Sequence, residues 1–117
     1  MRNLKDGLLI VEFIEGDVIT MLWKGRSENK EPSAILGPYL AEMIDEINGR
    51  KLEIDFTKLE YINSSTVLPI IQMLKYLHTK KVSTKIYYDK ESKWQSASFK
   101  ALEAISKAMP GIEVIGK

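Results

Sequence analysis

Two short apolar, β-prone runs open the chain, "GLLIVEFI" at 7–14 and "VITMLWK" at 18–24, separated by the turn residues Glu15, Gly16 and Asp17. This spacing predicts a β-hairpin. The next stretch, "GRSENKEPSAILGP", is rich in glycine, serine, proline and charge and reads as a loop. Pro38 suits the first position of a helix, and Leu40, Met43, Ile44 and Ile47 recur along one helical face, predicting a helix over 38–48 that Asn48 and Gly49 end. "KLEIDF" alternates, with Leu52, Ile54 and Phe56 on one side and Glu53 and Asp55 on the other, as a strand does.

Val67, Ile70, Ile71, Leu74 and Leu77 mark a second helix at about 66–78, with Lys75, His78, Lys80 and Lys81 at the end where the helix dipole favours cations. A proline deep in a helix costs roughly 3 kcal/mol, so Pro69 predicts a start close before it, capped by Ser65 or Thr66. "STKIYYD" is a further strand. "SKWQ" has the form of a capping box opening a third helix at 93–108, with Phe99, Leu102, Ile105 and Met109 on its buried face, before a last strand "IEVIG". The order ββαβαβαβ predicts an α/β fold: a mixed sheet of four to five strands, mainly parallel through right-handed crossovers, with three helices.

With 117 residues, 44% apolar and 28% charged, the chain fits one domain over 1–117. Its 17 basic and 16 acidic residues argue against a protein that holds nucleic acid or an anionic membrane by bulk charge. There is no cysteine and one histidine, His78, which removes thiolate zinc sites, cysteine nucleophiles and multi-histidine metal sites; no metal and no cofactor is predicted. The opening apolar run is too short for a signal peptide core, and nowhere do 18 apolar residues run together, so the expected location is cytoplasmic.

Chemistry concentrates in one place, "YINSSTV", where Ser64, Ser65 and Thr66 follow Asn63 at the strand-to-helix junction. A cap needs one hydroxyl; three in succession leave at least one for another role, at a helix N-terminus that favours added negative charge. An enzyme is not predicted. Ser65 and His78, thirteen residues apart on one helix, stand about 20 Å from each other and form no dyad. Glu53 and Asp55 read as solvated or edge charges rather than a catalytic pair. Leu68, Pro69, Met73 and Tyr76 fall outside the buried stripe of the second helix, an apolar strip beside the serines suited to a protein partner.

The segment "LEIDFTKLEYINSSTV", with the order of elements, resembles the signature of the STAS domain, the family of the bacterial anti-sigma factor antagonists, in which a strand ends in an Asp-Ser-Ser-Gly turn that opens a helix. The resemblance implies a non-catalytic cytoplasmic protein that binds a partner kinase of the anti-sigma type. It further implies that phosphorylation of the second serine, here Ser65, releases the partner and that a PP2C-type phosphatase restores binding. Asn63 stands where the family has aspartate and Thr66 where it has glycine. The turn, with "IYYDKES" after it, is also similar to STAS-like phosphoproteins of the SiaC type, which implies modification directly after the asparagine, at Ser64. Ser64 and Ser65 are thus both candidate sites, with Thr66 behind them, and Asn63, Leu68, Pro69, Met73 and Tyr76 form the candidate partner surface. The alternative is a small-ligand-binding STAS-like module without a phospho-switch, its pocket lined by Trp23, Tyr87, Tyr88 and Trp94.

Overall fold

The computed structural model describes residues 2–117. The hairpin forms as the turn residues dictate, joining β2 (Leu9–Ile14) to β3 (Val18–Ser27) with Phe13 opposite Met21 and Val11 opposite Trp23. A short strand not predicted from the sequence, β1 (Leu4–Asp6), folds back on β2. Gly7, at φ +60°, supplies the left-handed residue that its tight turn needs. Then follow α1 (Ser33–Asp45), β4 (Lys51–Ile62), α2 (Ser64–Thr79), β5 (Thr84–Tyr88), α3 (Lys93–Ser106) and β6 (Ile112–Gly116). The sheet therefore has six strands rather than four or five, in the spatial order β1 to β6; β1, β2 and β3 are antiparallel and β3 to β6 parallel.

α1 begins five residues earlier than the Pro38 rule implies. Leu36 is buried and extends the apolar stripe of Leu40, Met43 and Ile44 by a turn. Pro38 thus lies inside the helix, but both it and Ala34, whose carbonyl loses its helical partner, are exposed, so water can take the freed oxygen.

The central strands are longer than the alternating pattern suggests. β3 and β4 run on side by side through two register shifts, between Leu22 and Lys24 and between Gly25 and Arg26, until Ser27 lies opposite Ile62. The shift breaks the period of two, so burial passes from Leu52, Ile54 and Phe56 to Leu59. Gly25 sits at φ +87°, and a β-carbon there would overlap the Leu8 carbonyl oxygen, which accepts the Arg26 N–H at 3.2 Å. Only glycine fits.

β5 accompanies β4 no further than Asp55 opposite Tyr87, which leaves the carbonyls beyond it without a strand neighbour. Gln95, buried in the first turn of α3, fills that role: its Nε2 donates to Phe56 O at 2.9 Å and Leu59 O at 2.8 Å, while its Oε1 accepts the Asp89 N–H at 2.8 Å. The capping box is therefore half formed. Ser92 Oγ accepts the Gln95 N–H at 3.4 Å, but the glutamine side chain turns inward to the sheet.

Because each parallel strand is added on the same side of the last, right-handed crossovers put α1, α2 and α3 on one face of the sheet. The core lies between, centred on Trp23, Phe56 and Phe99, with ring centroids 5.2 and 4.7 Å apart in succession. Trp23 and Tyr88 belong to this core, Trp94 packs at its margin, and Tyr87 is turned to the other face, so the four aromatics form no common pocket.

Gln95→Leu keeps the volume but strands two buried carbonyls and one N–H. Chemical denaturation should register a loss of about 3 kcal/mol; a loss below about 1 kcal/mol would mean that water replaces the amide at no penalty.

Candidate functional site

The junction between β4 and α2 is built around Asn63, not around a serine. Asn63 is extended, at φ −82° and ψ 168°, and caps α2: its Oδ1 accepts the Thr66 N–H at 3.1 Å and the Thr66 hydroxyl at 2.6 Å. Its own N–H donates to Ser27 O at 3.0 Å, and its Nδ2 donates to Asn29 O at 2.8 Å. Aspartate could cap as well but could not make the last bond. This accounts for an amide at the position where the STAS motif has an acid.

Thr66 is fully buried, with its Oγ1 2.7 Å from the buried Ser27 Oγ. Its single proton goes to Asn63 Oδ1, so Ser27 is the donor between the two hydroxyls. The prediction that Ser65 or Thr66 caps the helix is corrected on this geometry: the helix starts two residues before Thr66. Pro69 is then its sixth residue, and the carbonyl it leaves unpaired is that of exposed Ser65. Thr66 is likewise removed from the accessible hydroxyls, because its oxygen is enclosed and shared between two partners.

Ser64 and Ser65 are left. Both are exposed on the first turn of α2, a turn that carries no acidic residue, and neither takes part in the capping network. Beside them the exposed apolar residues of α2 are Leu68 at 55% and Val67 at 38%; Tyr61, near the end of β4 and 39% exposed, pairs with Arg26 on the side of the sheet away from Ser27 and α2. Arg26 lies across the Tyr61 ring, 4.7 Å from its centroid.

The predicted partner strip is divided by the packing of α2 on α1. Leu68 stays in solvent, whereas Pro69 and Met73 are buried in the seam between the helices. Tyr76, half-buried, donates to Asp45 Oδ1 at 2.6 Å, a bond that raises its pKa above the ordinary phenol value. The seam holds a shallow apolar groove of about 230 Å³, walled by Leu40, Ile44, Pro69, Met73 and Tyr76. Val67 and Tyr61 were not singled out by the sequence reading. Val67 was assigned to the buried stripe on its spacing with Ile70, Ile71 and Leu74, but starting the helix at Ser64 turns Thr66 inward in its place.

Ser65 and His78 stand at opposite ends of α2. Among the described residues no group of three or more His, Asp or Glu side chains is placed to hold a metal ion. No helix among them is long and apolar enough to cross a membrane.

A parallel β–α ladder with its helices on one face and a serine-bearing turn at the head of the second helix defines the architecture: the chain has the fold of a STAS domain. No family model and no curated protein matches it in sequence. In structure it is similar to the anti-sigma factor antagonist SpoIIAA in its unphosphorylated form, with a TM-score of 0.56 and 13% identity over 87% of this chain and 98% of that one. An anti-sigma factor antagonist from Mycobacterium paratuberculosis aligns with a TM-score of 0.54 at 13% identity, covering 90% of this chain and 85% of the other. An uncharacterised protein of the DUF3478 family with a SpoIIAA-like fold, from Shewanella loihica, aligns with a TM-score of 0.55 at 13% identity over 97% and 92%.

Burial separates the three hydroxyls energetically. Thr66→Val keeps the shape and leaves Ser27 without an acceptor, so urea denaturation should read a loss of about 1–3 kcal/mol. Ser64→Ala and Ser65→Ala should each stay within about 0.5 kcal/mol of the parent.

Proposed function

We propose that this protein is a non-catalytic, cytoplasmic binding module of the anti-sigma factor antagonist kind, whose hold on a partner is switched by phosphorylation of Ser64 or Ser65. The observation that carries the proposal is the division of labour in the turn. Asn63 supplies the cap and Thr66 the buried anchor, which leaves two exposed serines with no structural duty on a helix N-terminus. The partner is a serine kinase of the anti-sigma type, and a PP2C-type phosphatase reverses the modification.

The docking surface comprises the two serines with Leu68 and Val67; Asn63 shapes it from below. A phosphate brings about −1.5 to −2 charges. At the helix terminus that charge is favourable for the fold, since the N–H groups of the first turn point towards it. For a partner resting on Leu68 and Val67 the same charge is unfavourable, because it must be desolvated or matched. Stability and affinity therefore move independently.

Intact-mass and peptide mapping of the protein from its own cells should place a phosphate on Ser64 or Ser65. Serine-to-aspartate at the modified position should shift the melting temperature by no more than about 2 °C while weakening partner binding at least tenfold, and alanine there should bind constitutively. Aspartate variants of both serines that bind the partner as the parent does would refute the switch.

A further inference from the structure

The chain holds four asparagines, and the fold secures three of them. Asn3 Oδ1 accepts the Phe13 N–H at 3.0 Å. Asn29 Oδ1 accepts the Glu31 N–H at 3.0 Å, and its Nδ2 donates to Asp6 Oδ2 at 3.1 Å. Asn63 is bound through both side-chain atoms in the cap of α2. Asn48 is the exception. It stands exposed in the turn between α1 and β4, and among the described residues neither its amide nor the Gly49 N–H has a hydrogen-bond partner.

The following residue makes a second difference. Asn3, Asn29 and Asn63 precede Leu4, Lys30 and Ser64, whose side chains stand beside the main-chain nitrogen, whereas Asn48 precedes a glycine. The turn is a left-handed pair, with Asn48 at φ 53° and Gly49 at φ 78°, and a β-carbon placed on Gly49 would meet nothing within 4 Å. Neither a side chain of its own nor a neighbouring residue shields the Gly49 nitrogen.

We propose that Asn48 is a site of spontaneous deamidation and isomerisation, a covalent change that the fold admits here and withholds from the other three asparagines. The Gly49 nitrogen gives its proton to solvent and attacks Asn48 Cγ; the bond from Cγ to Nδ2 breaks, ammonia leaves, and a five-membered succinimide closes. Water then opens the ring at either carbonyl, leaving aspartate or β-linked isoaspartate, with no change of oxidation state. The two products differ in consequence. Aspartate tolerates a positive φ much as asparagine does. Isoaspartate puts an extra carbon into the main chain of a turn that the Arg50 N–H closes on Ile47 O at 3.3 Å. Ile47 is fully buried and cannot follow, so Arg50 must move. Its side chain, which donates from Nε to Ile47 O at 2.9 Å and from Nη2 to Glu46 O at 3.0 Å, then leaves the last carbonyls of α1. The turn lies beside the C-terminal ends of α1 and α2, where Asp45 meets Lys80, and so at the far end of the helix layer from Ser64 and Ser65. The modification stands independently of the proposed switch.

The test is to incubate the full chain for weeks, folded and in concentrated guanidinium chloride, at neutral and mildly alkaline pH, and to map its peptides by mass. In the folded chain peptide 31–50 should gain one mass unit and separate into two products, at a rate that rises about tenfold for each pH unit because the attacking nitrogen must lose its proton. Asn48 should react at rates within about threefold of each other in the folded and unfolded chain, whereas Asn63 should react at least tenfold more slowly when folded. Asn48→Ser should abolish the gain. Asn48→Asp should melt within about 2 °C of the parent, and the isoaspartyl fraction, separated by chromatography, about 2–6 °C lower. A peptide 31–50 that reacts in guanidinium but stays unchanged in the folded chain overturns the proposal. So does a gain that survives Asn48→Ser, and an isoaspartyl fraction that melts with the parent overturns the role given to Arg50.

Discussion

The buried contact between the Ser27 and Thr66 hydroxyls, 2.7 Å long, fixes the end of β3 to the beginning of α2, and the rest of the site depends on it. A hydroxyl taken from water must find a partner inside or lose on the order of 1–3 kcal/mol. Thr66 cannot be rotated out without stranding the Ser27 hydroxyl, which donates to it. Thr66 passes its proton to Asn63, and Asn63 in turn holds the backbone of Ser27 and Asn29, so the chain of bonds closes on itself. It is this closure that fixes the rotation of α2 about its axis. With Thr66 inward, Ile70, Met73, Leu74 and Leu77 must also face in, and Ser64, Ser65, Val67 and Leu68 must face out.

Holding Ser27 in place requires the long central strands. β3 reaches Ser27 only because the register shifts let it follow β4 past the end of β5, and those shifts need a glycine at position 25 where the backbone approaches Leu8. The same overreach strips β4 of its β5 neighbour, and the Gln95 amide from α3 closes the gap. Three elements distant in sequence thus support one turn. A helix N-terminus on such a support can accept charge without local unfolding, whereas an N-terminus frayed into solvent could not pass the change to a bound partner.

The alternation in "KLEIDF" and the helical spacing of Leu40, Met43, Ile44 and Ile47 were legible because each is a local pattern with one period. What was hidden depended on contacts between distant segments. "TKLEYI" lies beyond the alternating run "KLEIDF" because the register shift breaks the period of two, yet it continues the strand and Leu59 is buried. Pro38 looks like a helix start because its exposed position in α1, with an exposed carbonyl behind it, cannot be seen from its neighbours in the chain. The cap is expected at Ser65 or Thr66 because Pro69 argues for a start close before it and a hydroxyl caps about as well as asparagine does. Only the Asn29 carbonyl, 34 residues away, decides for the amide. Pro69 and Met73 looked free for a partner because the spacing of one helix does not reveal that α1 lies against it.

One-sided packing explains why those two residues are claimed by the fold. In a sheet covered on both faces, consecutive helices can alternate sides and need not touch. Here the strands advance in one direction and every crossover is right-handed, so α1 and α2 are forced to be neighbours. Their seam consumes the flank of α2 that carries Pro69, Met73 and Tyr76, and the Tyr76 to Asp45 bond closes one end of it. What remains of α2 for a partner is therefore its first turn and the outward residues just after it. The apolar surface that α2 leaves open is thereby confined to Val67 and Leu68, close to Ser64 and Ser65 in the chain, so that under the proposed switch a single phosphate would stand against all of it.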